Sequence, residues 1–101
     1  MSTIEKNGSA VKIIPTEDII SATRDALKDE LLQLISEGAV QVTIDLQNVA
    51  KIDSTGLSVF IAAYNTLKEK EGVLELVNVN DTIKKLLTLT RLDRYVLIVS
   101  K

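Results

Sequence analysis

The residues best equipped for chemistry fall in one short run, Asp53-Ser54-Thr55-Gly56, with Asp45 and Lys51 shortly before it. Ser54 as a covalent nucleophile needs a neighbouring base to take its proton. The chain has no histidine and no cysteine, so only a lysine such as Lys51 could serve, and nucleophilic catalysis is a poor fit. Asp45 and Asp53 flank the same loop, but two carboxylates without a histidine or a third ligand make a weak metal or acid–base site; cap and loop roles suit them better. Ser54 or Thr55 can instead cap the helix that follows. A hydroxyl at a strand-to-helix turn lies beside backbone N–H groups and the positive end of the helix dipole, where a phosphate is tolerated. Phosphorylation there adds about −1.5 to −2 charges at neutral pH, next to Asp53.

Composition narrows the classes further. With 101 residues there is room for one domain, which buries roughly 65% of its unfolded surface. Only three residues are aromatic, so the core must be built from Val, Ile, Leu and Ala, as suits packed α/β layers. The net charge of −2 provides no drive toward nucleic acid or an anionic membrane. Without cysteine or histidine there is no disulfide framework and no zinc site, and no cofactor or metal is expected. The longest apolar run, Val59 to Tyr64, is far short of the roughly 20 residues that span a bilayer, and the N-terminus has no leader pattern. A cytoplasmic location without membrane insertion is expected.

The elements that must position the turn can be read from periodicity. Asn7-Gly8 is a hairpin signal, pairing residues 2–6 with 9–14. Pro15 ends the second strand, and Thr16 or Ser21 caps a helix carrying Ile20, Thr23, Ala26, Leu27, Leu31, Leu34 and Ile35, stopped by Gly38. Val40, Val42, Ile44 and Leu46 alternate with Gln41, Thr43 and Asp45, which predicts a central strand with one buried and one polar face. Residues 53–56 then open a second helix, capped by Ser54 or Thr55, running to about Lys70 and closed by Gly72. Val73 to Val79 reads as a strand, Asn80 or Asp81 as the cap of a third helix with Ile83, Leu86, Leu87 and Thr90 on one face, and Tyr95 to Val99 as the last strand.

This order predicts a single α/β domain over residues 1–101, with residues 1–8 loosely held. Its sheet has four to five strands, mixed but mainly parallel, with an N-terminal antiparallel hairpin and three flanking helices. From Leu57 to Tyr64 the second helix has only Ser58 as a polar residue, so it is either sandwiched in the core or shows part of its apolar surface to a partner. Lys84, Lys85, Arg91 and Arg94 read as a solvated face around the third helix, with contact to an acidic partner as the alternative.

Three stretches in this order, Ile44-Asp45-Leu46, Ile52-Asp53-Ser54-Thr55-Gly56-Leu57 and the apolar helix, resemble the STAS domain, the fold of bacterial anti-sigma factor antagonists. The hairpin, the strand Gly72-Val73-Leu74-Glu75-Leu76 and the helix Ile83-Lys84-Lys85-Leu86-Leu87 agree, so the likeness covers nearly the whole chain. It implies a non-enzymatic partner switch in transcription control. The serine after the motif aspartate, here Ser54, is phosphorylated by an anti-sigma factor that is also a serine kinase, and a serine phosphatase resets it. The unphosphorylated form binds the kinase and the phosphorylated form lets go.

The resemblance makes Asp53, Ser54, Thr55 and Gly56 the switch loop, and Leu57, Ser58, Ile61 and Asp18 candidate partner contacts. The protein is expected as a monomer or weak dimer. Two features differ from many antagonists: Pro15-Thr16-Glu17-Asp18-Ile19-Ile20 stands where they have a Gly-Glu-Leu-Asp-like turn, and the sequence stops after the last strand where many carry a further helix. The alternative is a constitutive STAS subunit of a lipid ABC transporter or a stress-signalling scaffold, with Ser54 mainly a helix cap. Co-purification of a stoichiometric ATPase distinguishes it.

Overall fold

A computed structural model describes residues 2–100. β1 (Ser2–Asn7) and β2 (Ala10–Pro15) form the expected antiparallel hairpin, with Gly8 at φ +65° supplying the positive φ of its turn. After it come α1 (Arg24–Ser36), β3 (Gln41–Asp45), α2 (Leu57–Glu69), β4 (Val73–Val79) and α3 (Asp81–Leu89). A single 3-10 turn, Leu92–Arg94, leads into β5 (Leu97–Ser100).

The five strands lie in sequence order, β2 to β5 all parallel, which leaves β3 in the centre. Each crossover advances one position in the same direction, so right-handed connections put all three helices on one face of the sheet. Burial follows that layout. Val11, Ile13, Val42, Ile44, Leu74 and Leu76 point into the core, where α1, packed on α2, supplies Leu31 and Ile35, α2 supplies Val59 and Phe60, and α3 supplies Ile83 and Leu87. The opposite face carries half-exposed and exposed residues such as Lys12, Gln41, Thr43, Glu75 and Leu97.

The structure corrects four expectations. α1 begins at Arg24, and neither Thr16 nor Ser21 caps it. Residues 16–23 form a loop held by its own bonds: the Thr23 hydroxyl donates to the Asp18 carbonyl (2.6 Å) and accepts the Ile20 N–H (3.1 Å). Ala26 is accordingly exposed, and Ile20 and Thr23 are half-buried and outside the helix. Asp45 does not join a polar face; it is 1% exposed. At the end of α2, Glu71 (φ 57°) takes the left-handed position. Gly72 follows it because a Cβ there would lie 2.5 Å from the Val40 carbonyl oxygen, at the point where the chain turns into β4. The last strand starts at Leu97 and not at Tyr95, because Arg91 (φ 63°) reverses the chain after α3 and Leu92 and Val96 are pulled into the core.

Candidate functional site

The turn before α2 is built around one carboxylate. Asp53 Oδ1 accepts the Gly56 N–H (2.7 Å) and the Thr55 hydroxyl (2.7 Å), and its Oδ2 accepts the Ser21 N–H (3.1 Å). Asp53 is therefore the residue that caps this end of α2, where Ser54 or Thr55 was expected to do so. The Thr55 hydroxyl, then the Gly56 N–H, hold the Asp53 carboxyl below its ordinary pKa against a smaller upward push from burial. Ser54 is exposed, and its hydroxyl makes no hydrogen bond among the described residues.

The backbone donors that follow at the start of α2 are already taken. Gly56 N–H goes to Asp53, and the N–H groups of Leu57, Ser58 and Val59 donate to the carbonyls of Asp53, Thr55 and Gly56. Ser58 also donates its hydroxyl to the Thr55 carbonyl (2.6 Å).

Three more side chains, each from a different element, grip the loop that leads from β3 to this turn. Asp18 Oδ1 accepts the N–H groups of Ala50 (2.8 Å) and Lys51 (3.2 Å). Asn80 caps α3 by accepting the Ile83 N–H at Oδ1 (2.8 Å), while its amide donates to the Ala50 carbonyl (3.1 Å). Buried Asp45 accepts from the Gln47 N–H (3.0 Å), the Gln47 amide (3.1 Å) and the Asn78 amide (2.8 Å), and pairs with Lys12 Nζ at 3.3 Å. Burial pushes the Asp45 carboxyl up, but the Asn78, Gln47 and Lys12 contacts outweigh it and hold its pKa below the ordinary aspartate value. Asn78 reaches Asp45 from a register slip in β4 at φ 56°, a left-handed conformation that asparagine tolerates better than most residues.

The loop 16–23 and the loop 46–56 also meet through backbone. Ile19 bridges Ile52, donating its N–H to the Lys51 carbonyl and accepting the Asp53 N–H, both at 3.3 Å. The Ile19 carbonyl then lies so close over Gly56 that a Cβ there would overlap it.

Of the expected partner contacts, Leu57 is 6% exposed and belongs to the core, so it offers no surface. Ser58 is half-buried and Ile61 is 44% exposed. Ser58 and Ile61 are three positions apart on α2 and share a face, and Ser54 sits on the exposed turn just before that helix. Asp18 is half-buried with one oxygen committed to the loop. Asn80 and Asp45 are loop-holding residues whose partners sequence reasoning did not find; the Asn80 cap was visible, its second bond was not. No group of three or more potential metal ligands occurs among the described residues, and no helix there is long and apolar enough to cross a membrane.

The sequence profile described as the STAS domain matches residues 2–101. The chain belongs to the STAS domain family. The anti-sigma-B factor antagonist of Bacillus subtilis is 33% identical over 87 residues, covering 86% of this chain and 77% of that protein. Among solved structures, a Thermotoga maritima protein superposes with a TM-score of 0.93 at 23% identity, covering 99% of this chain and 86% of that one. The Bacillus cell fate determinant SpoIIAA in its phosphorylated form superposes with a TM-score of 0.77 at 16% identity, covering 100% of this chain and 93% of that one. At those identities the two structures establish that this STAS chain shares their fold.

Proposed function

We propose that this STAS protein is an anti-sigma factor antagonist worked by phosphorylation of Ser54. The unphosphorylated domain binds an anti-sigma factor that is also a serine kinase. The kinase transfers the γ-phosphoryl group of ATP to Ser54 Oγ, whose proton is lost and ADP released, and the phosphorylated domain then dissociates. A serine phosphatase restores the hydroxyl by hydrolysis, releasing inorganic phosphate. The domain itself carries out no catalysis.

The observation that carries this reading is the state of Ser54: exposed, with its hydroxyl uncommitted, on a turn whose capping work is done by Asp53. The N–H groups of Gly56, Leu57, Ser58 and Val59 are paired already, so an added phosphate finds few donors left at this end of α2. It would stand beside the Asp53 carboxylate and project from the surface that includes Ser58 and Ile61. The charge then falls on whatever packs there, and release needs no rearrangement of the domain. The names of the curated relatives support the role in sigma factor control.

Incubation with the cognate kinase and ATP, followed by peptide mapping in a mass spectrometer, tests the site. One phosphate on Ser54, and none on a Ser54→Ala variant, is the expected result. Phosphate that appears only on Thr55 or Ser58 contradicts it.

A further inference from the structure

Between the β3–α2 loop and α3 runs a groove of about 260 Å³ that the switch turn does not use. Its floor is apolar: Ile52 and Ile83 are buried beneath it, Leu86 is half-buried, and Leu89 stands 72% exposed. Ile83 and Leu87 of α3 face the core and Leu86 packs against it half-buried, whereas Leu89, one helical turn beyond Lys85, stands outside it with its side chain at the surface. The rim is cationic, formed by Lys51 on the loop and Lys85 on the helix, and neither has an ion pair among the described residues.

We propose that this groove is a second docking site, which takes an acidic amphipathic segment of a partner protein, with leucine-like side chains laid over Leu86 and Leu89 and carboxylates meeting Lys51 and Lys85. Charge complementarity chooses this occupant. The two lysines flank the apolar floor, so an apolar side chain bracketed by carboxylates satisfies both at once, and a basic segment of equal hydrophobicity is repelled. The site lies outside the Ser54 switch and requires no modification of it.

Three synthetic 14-residue helical peptides test the proposal by titration into the 15N-labelled protein. One has leucines at helical i, i+3, i+4 and i+7 spacing flanked by glutamates, one has the same leucines flanked by lysines, and one has the glutamates with serine in place of leucine. The first is expected to shift the amide signals of Ile52, Lys85, Leu86 and Leu89, with an affinity that falls as salt is added. The other two leave those signals in place. The double change Lys51→Glu, Lys85→Glu should weaken the first peptide by roughly tenfold and admit the lysine peptide. Leu89→Ser should weaken the first peptide without disturbing the fold, because that side chain is already exposed. Equal shifts from acidic and basic peptides, shifts confined to other residues, or no response to the lysine reversal overturn the proposal. So does a groove whose signals move only with protein concentration, or only with phosphatidylserine vesicles, which would assign it to a second copy or to a membrane. Phosphate on Ser54 is read separately and stands or falls without this result.

Discussion

Gly56→Ala is expected to lower the midpoint of thermal unfolding by roughly 15 °C, corresponding to about 3 kcal/mol in a domain of this size. Backbone freedom alone predicts the opposite. Gly56 has φ −65° and ψ −29°, a conformation alanine adopts freely, so restricting the unfolded chain should stabilise the fold by about 0.4 to 1 kcal/mol. Sterics decide the sign. The new Cβ would overlap the Ile19 carbonyl oxygen and stand 2.9 Å from the Ile19 carbonyl carbon, and neither is the end of a flexible side chain. Ile19 cannot retreat alone, because its N–H and C=O are bonded to Lys51 and Asp53. The two loops would have to separate, which displaces the turn carrying Ser54. Differential scanning calorimetry measures the effect, and a variant that melts within about 2 °C of the wild type contradicts the close approach, since it corresponds to less than about 0.5 kcal/mol.

The second large effect is expected at Asp45. Asp45→Ala removes the acceptor of three hydrogen bonds and the partner of Lys12 in a site that is 1% exposed. Loss of one member of a buried pair costs about 3 to 5 kcal/mol, and the lower end applies here because the Lys12 side chain is 40% exposed and water can take up its charge. About 3 kcal/mol should appear in urea unfolding at pH 7, together with faster amide exchange at Gln47. The pH dependence has a definite sign. The folded pKa of Asp45 is depressed, so its contribution is complete above the unfolded value of roughly 3.9 and is lost as pH falls through the lower folded value. The wild type should therefore lose stability below about pH 4, and the alanine variant should lose less over the same interval. A variant within about 1 kcal/mol of the wild type at pH 7 contradicts the role given to Asp45.

Two readings of local pattern match the structure closely. β4 runs from Val73 to Val79 as read, and Asn80, one of the two candidate residues, caps α3 because a short polar side chain preceding an apolar helical stripe is a local signal. The turn at residues 53–56 was legible for the same reason. What sequence could not supply were contacts between distant segments. Asp18 and Ala50 lie 32 positions apart, and no local pattern says that a carboxylate after β2 will hold the loop after β3. Thr16 and Ser21 looked like caps because residues 16–23 have the composition of a helix start, yet Thr23 and Asp18 tie that stretch into a loop.

Asp45 shows a further limit of the alternation rule. The period-two pattern correctly turns its side chain away from Ile44, but whether that side is wet depends on neighbours. Lys12 and Asn78 close over it from the adjoining strands. α2 is similar: being apolar nearly all round, it does not announce which side is free. The sheet decides, burying Leu57 and leaving Ile61 at the surface with Ser58 beside it.

The proposed charge switch at Ser54 acts on a partner and leaves its own domain unchanged. Isothermal titration of the cognate serine-kinase anti-sigma factor, without ATP, against unphosphorylated and stoichiometrically Ser54-phosphorylated protein measures that directly. Phosphorylation should weaken binding by two to three powers of ten, about 3 to 4 kcal/mol, with the circular dichroism spectrum unaltered. Affinities that agree within about threefold, less than 1 kcal/mol, contradict it.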